Sequence, residues 1–278
     1  MASFGFDPQT DKKIRSVLYD GIDHFFDAIM GKKSEKAEEQ TLSELARSLD
    51  LPGLIRELQG IDNIAWGRYI LSKDLLADRI DPSEVDDLVK QSRACGELYA
   101  DRIVKKYKTA DPVKIAKACR VKIETVQAPV SQDRIVFAEF EPPAAIRIMA
   151  EPIKHYMQER AKIIVQAPAD EKHELEHLLP SNKQVRELIE YHELFHTVEE
   201  QYEKEIFTRT HTIKLWKFLS YENRSPIRSL SEIAAGAFAQ KLTQCNFNPY
   251  ALDICLVWTC NNCQARLLFD EVVQSVRR

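Results

Sequence analysis

The chain has 278 residues, of which 44% are apolar and 29% charged, and a formal net charge of -4. That length supplies a sizeable core without disulfide or metal staples, so a bound metal would serve a purpose other than folding. The near-balanced charge argues against nucleic acid as a partner, and the absence of eighteen consecutive apolar residues argues against a membrane span.

The opening MASFGFDPQTDKK has no basic segment followed by an apolar stretch, so no export signal is expected. Six cysteines, Cys95, Cys119, Cys245, Cys255, Cys260 and Cys263, then read as reduced and largely buried thiols of a cytoplasmic protein, the CxxC of Cys260 and Cys263 included.

Residues 1–108 read as an N-terminal helical region. From Ile14, the residues Val17, Leu18, Ile22, Phe25, Phe26, Ile29 and Met30 recur at steps of three and four, which predicts one amphipathic helix. A second is expected over about 43–58. The stretch TLSELARSLDLPGLIREL lacks both a glycine at the turn and a basic second helix, so it reads as core packing and not as a DNA-binding motif. Asp81 and Pro82 form an N-cap and first-turn pair for a long helix ending near Tyr107. Asp111 and Pro112 repeat the signal for a short helix ending near Cys119.

Beyond it, VKIETV, RIVFAEF, AAIRIM and KIIVQA have the branched, alternating character of strands. From Ser181 onward the sequence is expected to be helical again. The order predicts an α+β fold: mostly helical, with a small antiparallel or mixed sheet packed on a metal-binding helix in residues 109–278, as in zincins.

HExxH occurs twice, at His173–His177 and at His192–His196. On a helix, residues i and i+4 share a face, so two imidazoles can grip one ion while the intervening Glu reaches its water. The first copy holds Glu176, follows the polar run PADEK and is stopped by Pro180, which predicts a short exposed turn. The second continues an apolar stripe of Val185, Leu188 and Ile189, which turns His192 and His196 inward. Buried imidazoles need polar partners, and zinc supplies them.

A catalytic zinc takes a third protein ligand and keeps one open position. Glu232 stands in SLSEIAAGAFAQKL, where Ala234, Ala235, Gly236, Ala237 and Ala239 make a small face that lets another helix approach. Ser229 and Glu232 equally fit the S-x-x-E capping box, whereas Ser225 and Pro226 offer an earlier helix start that would place Glu232 inside. The residues alone leave the two readings level. Glu199 shares the face of His192 and His196, but three ligands from one straight helix converge poorly, so it fits better as a partner orienting an imidazole.

YHELFHTVEE, followed thirty-six positions after His196 by EIAAGAFAQ, resembles the ImmA/IrrE-type metallopeptidases, small gluzincins with an HExxH helix and a Glu on a later helix. The resemblance covers about residues 98–250 and extends upstream to DPVKIAKACRVKIETV. It implies His192, His196 and Glu232 as zinc ligands and Glu193 as the general base. The family's common HELGH is HELFH here, and the glycine that often follows the strand is Arg120, within KACRVKI.

The expected activity is peptide-bond hydrolysis of a peptide or protein substrate by a zinc-bound water that Glu193 deprotonates. A catalytically silent metal-binding or regulatory protein is the alternative. His211 and Tyr221 are candidates for the oxyanion donor, and AAIRIM is the candidate edge strand for an extended peptide. No sequence feature sets an oligomeric state.

Overall fold

A computed structural model describes residues 42–127, 137–141, 145–218, 221–245 and 247–277. The helix predicted from Ile14 to Met30 lies outside them. The described part is an α+β molecule, mostly helical, with one three-stranded mixed sheet and one two-stranded sheet.

The helix expected over about 43–58 is two helices, α1 (Glu44–Ser48) and α2 (Leu51–Gln59). Asp50 accepts the Gly53 N–H at 2.9 Å and Pro52 stands in the first turn, so the chain stops and restarts between them. Then come α3 (Asn63–Ser72), capped by Asp62, and α4 (Val85–Tyr107). Asp81 caps only a turn, accepting from Ser83, which delays α4 to Val85. Asp111 caps α5 (Pro112–Ala118) as its sequence suggests.

The strands β1 (Lys122–Val126), β2 (Ala138–Glu141) and β3 (Ala145–Met149) assemble in the order β1-β3-β2. β3 runs parallel to β1 and antiparallel to β2, with Phe140 opposite Ile146. AAIRIM is therefore the central strand and cannot accept an added peptide strand; β1 and β2 are the edges. KIIVQA is not a strand either. It ends α6 (Ala150–Gln166), where Ile163 and Ile164 extend a stripe begun by Ile153, Tyr156 and Met157 at helical spacing.

The first HExxH forms α7 (Lys172–Leu178), about two turns of helix where a short exposed turn is expected, with both histidines exposed. The second lies in α8 (Asn182–Gln201). The chain beyond is not all helix: after α9 (Phe207–Thr210), β4 (Thr212–Phe218) and β5 (Tyr221–Pro226) pair as an antiparallel hairpin. TIKLWKF carries the branched and aromatic residues that favour strand. Helices α10 (Arg228–Thr243), α11 (Pro249–Cys260) and α12 (Asn262–Val276) complete the chain.

One hydrophobic core joins the helices before residue 108 to those after it. Its centre is α10, held between α4 and α8. A Cβ added at Gly96 of α4 would stand 2.1 Å from the Ala234 carbonyl oxygen, so only glycine permits this approach. Beside it the buried Ser92 hydroxyl donates to the Leu230 carbonyl at 2.7 Å. Across the other face, Phe195 of α8 packs on Phe238 of α10 with ring centroids 5.6 Å apart. Both rings are fully buried, each contributing roughly 1.5–3 kcal/mol of apolar transfer.

The six cysteines are free thiols; Cys95 and Cys255 are buried, while Cys260 and Cys263, at the junction of α11 and α12, are half-buried. Among the described residues no helix is long and apolar enough to cross a membrane.

Candidate metal centre

A capping box starts α8: the Gln184 side chain accepts from the Ser181 N–H at 2.9 Å while the Ser181 hydroxyl accepts from the Gln184 N–H. From there Val185, Leu188 and Ile189 are buried, and the stripe carries Glu193 and His196 into the interior, with His192 half-buried beside them. Tyr191 fixes the helix from a second side by donating to the Ala110 carbonyl.

Facing α8, α10 begins at Arg228 with Ile227 as its N-cap residue, and no side chain caps it. The capping box of Ser229 and Glu232 is therefore not formed, and the start at Ser225 and Pro226 is excluded because both belong to β5. Ser229 gives its N–H to Asp74 at 2.8 Å instead. Glu232 is left in the second turn of α10, and its side chain crosses to α8. Its Oε2 lies 3.1 Å from His192 Nε2, and its Oε1 lies 3.7 Å from His196 Nε2.

One potential ligand atom from each of His192, His196 and Glu232 lies within 4.8 Å of the others, a group that can hold a metal ion. The two imidazole centroids are 5.3 Å apart. Nitrogen-to-metal bonds of about 2 Å at a tetrahedral angle would set two such rings about 5.2 Å apart.

His196 is held from behind. The Ser231 hydroxyl lies 3.3 Å from His196 Nδ1, and Glu199 Oε2 lies 4.0 Å away, a charge contact beyond hydrogen-bond reach. Glu199 is itself buried, taking a hydrogen bond from the Thr208 hydroxyl and pairing with Arg209 at 2.8 Å. On the far side of Glu232, the Tyr250 hydroxyl donates to the Glu232 carbonyl at 2.7 Å, and the Tyr250 ring stacks on Trp66. Asp253, one turn along α11, comes within range of the charges of His192, Glu232 and Glu193.

Burial disfavours charge on both imidazoles, yet Glu232 and Glu193, joined at His196 by Glu199, outweigh it, raising His192 and moving His196 up to about 9. Burial likewise works against ionised Glu232 and Glu199, but the imidazoles, and for Glu199 also Arg209, hold both below the usual carboxylate range. Glu193 goes the other way: burial raises it, only partly opposed by the histidines. Burial also raises Asp253, to about 7. Carboxylates that protonate their own histidines define a site that calls for positive charge. A divalent cation supplies that charge with the imidazoles neutral.

Two atoms test whether this donor set fits a metal. His196 Nε2 and Glu193 Oε2 are buried without a hydrogen-bond partner among the described residues. An unsatisfied buried polar atom costs about 1–3 kcal/mol, and here two such atoms belong to the motif whose chemistry would use both. The donors fit the ion.

The other expected residues lie differently. Glu199 stands behind His196, as described. His211 ends α9, and its ring contacts Phe207 with centroids 5.1 Å apart. The side chain of Tyr221 lies outside the described residues. Ser231, Thr208, Arg209, Tyr250 and Asp253 were not anticipated; the capping pattern S-x-x-E drew attention to Ser229 and away from its neighbour Ser231.

No protein-family model, curated protein or solved structure matches this chain significantly.

Proposed function

We propose that the chain is a zinc-dependent metallopeptidase in which His192, His196 and Glu232 hold the ion and Glu193 is the general base. The observation that carries this reading is the pair of unpartnered buried atoms, His196 Nε2 and Glu193 Oε2, beside the His192–Glu232 contact. The spacing of the two rings and the resemblance of HELFH and EIAA to the ImmA/IrrE-type peptidases, with their zincin-like packing, support it.

The ion, when bound, supplies Lewis acidity that brings the pKa of water to about 7 and polarises a carbonyl. His192 and His196 stay neutral to donate their lone pairs, while Glu232 remains anionic. Glu193 takes the proton of the attacking water on Oε2 and delivers it to the nitrogen of the leaving amine, so the carboxylate is regenerated as the C–N bond breaks. Its buried setting makes it a stronger base than an exposed glutamate. Ser231, Glu199, Arg209 and Thr208 hold the His196 ring in place. An extended substrate would lie along the edge strand β2, which packs on α8 and whose Glu139 is close enough for its charge to act on Glu193.

One observation favours a silent metal-binding or regulatory protein instead. The side chains of His192, His196 and Glu232 are only 17%, 11% and 14% exposed. Glu193→Gln separates the readings. In a peptidase it lowers turnover of a peptide library by about 10²–10⁴-fold while zinc content by elemental analysis stays at one per chain. Wild-type protein that carries its zinc and cleaves nothing in that library supports the silent reading.

A further inference from the structure

The proposed function uses one of the two HExxH strings, and the other has a geometry of its own. In α7 the His173 and His177 rings are exposed, and their centroids are 4.5 Å apart, edge to face. Leu175 and Leu178 bury the opposite side of the helix. Glu174, which occupies the position of a catalytic base, is bound to α2: its Oε1 accepts from Arg56 Nε at 3.0 Å and from a terminal guanidinium nitrogen at 2.8 Å. Neither imidazole has a hydrogen-bond partner among the described residues. Two adjacent imidazoles therefore face solvent one helical turn apart, with no structural task.

Two imidazoles on one ion, with bonds of about 2 Å, stand about 4.5 Å apart at a right angle and about 5.2 Å apart at the tetrahedral angle. The buried pair stands 5.3 Å apart and the α7 pair 4.5 Å, both separations that a shared ion can span. Imidazole donors suit the late divalent transition metals, among which Cu²⁺ binds most strongly. We infer that His173 and His177 form a second, surface site for a divalent transition cation such as Cu²⁺, with water in the remaining positions, filled independently of the buried triad. Closing a chelate ring across one turn also braces a seven-residue helix, which is too short to be stable by itself.

The test is titration of untagged, zinc-loaded protein with Cu²⁺, followed by electron paramagnetic resonance, by zinc release and by thermal unfolding. Wild-type protein should take up one further equivalent with a two-nitrogen signature, release no zinc and unfold at a higher temperature. His173→Ala/His177→Ala should lose that equivalent and the thermal shift, as should His173→Gln/His177→Gln, which keeps polar side chains on the helix. Glu174→Gln should retain both. The inference is overturned if the α7 double variants bind copper as wild type does, if uptake is matched by zinc release, or if Glu174→Gln abolishes it.

Discussion

His196 sits between a donor set in front and a polar brace behind, so its behaviour reports on both. Without a metal, its folded-state pKa of about 9 lies above the ordinary 6.5, so its stabilising contribution is complete below about pH 6.5 and is lost as pH rises through 9. Glu232 and Glu199 are depressed, so theirs is present above about pH 4.5 and is lost as pH falls through their lowered values. Chelator-treated protein should therefore show a urea midpoint that falls between pH 6.5 and 9.5. Metal affinity should rise over the same interval, because binding displaces one to two imidazole protons. An affinity flat across that range would contradict the assignment of both histidines as ligands. Behind the ring, Glu199→Gln removes the charge that Arg209 and Thr208 hold in place. It should weaken metal binding about 10–100-fold in a competition titration while leaving one site per chain.

At the scale of elements, the site depends on how closely α10 fits between α4 and α8. Gly96→Ala forces a methyl group against the Ala234 carbonyl and should destabilise by about 1–3 kcal/mol by chemical denaturation. It should also weaken metal binding, because Glu232 rides on the displaced helix. Phe195 occupies the place of the glycine in HELGH, and here it fills the core against Phe238. Phe195→Ala should cost about 3–5 kcal/mol, marking the ring as a packing residue and not a substrate contact. These elements also mark how far the sequence could be read. The i, i+4 spacing of His192 and His196 on an apolar stripe is local information, and it reads directly. Glu232 was level with a capping role because the partner that decides between them, α8, is distant in the chain. Ser231, Thr208 and Arg209 carry no pattern at all: they acquire a task only once α9 and α10 dock behind His196. KIIVQA reads as a strand because three branched residues favour one locally, whereas α6 packs Ile163 and Ile164 on a helical stripe whose other members lie upstream and leaves Val165 exposed.

For the whole molecule, an ion bound only by the folded chain shifts the unfolding equilibrium by mass action. At a free metal concentration a hundred times the Kd, this amounts to about 2.7 kcal/mol, or about 5 °C in Tm for a chain of this size. Scanning calorimetry with and without chelator should show that difference in wild-type protein and not in His192→Ala. Both helices of the candidate centre belong to the single core, so a bound ion would stabilise the N-terminal helices as well, and the transition should stay cooperative.

The β4–β5 hairpin joins the two segments of the candidate centre without adding a donor to it from its described side chains. For an unstructured connection, each doubling of length costs only about 0.6 kcal/mol in closure entropy, so the interval between His196 and Glu232 is free to drift. A chain with thirty more residues at that tip, or with the hairpin clipped to a short turn, can build the same centre. The number of residues between HExxH and Glu232 then does not define the candidate centre; the fit of a small-faced helix against the histidines does.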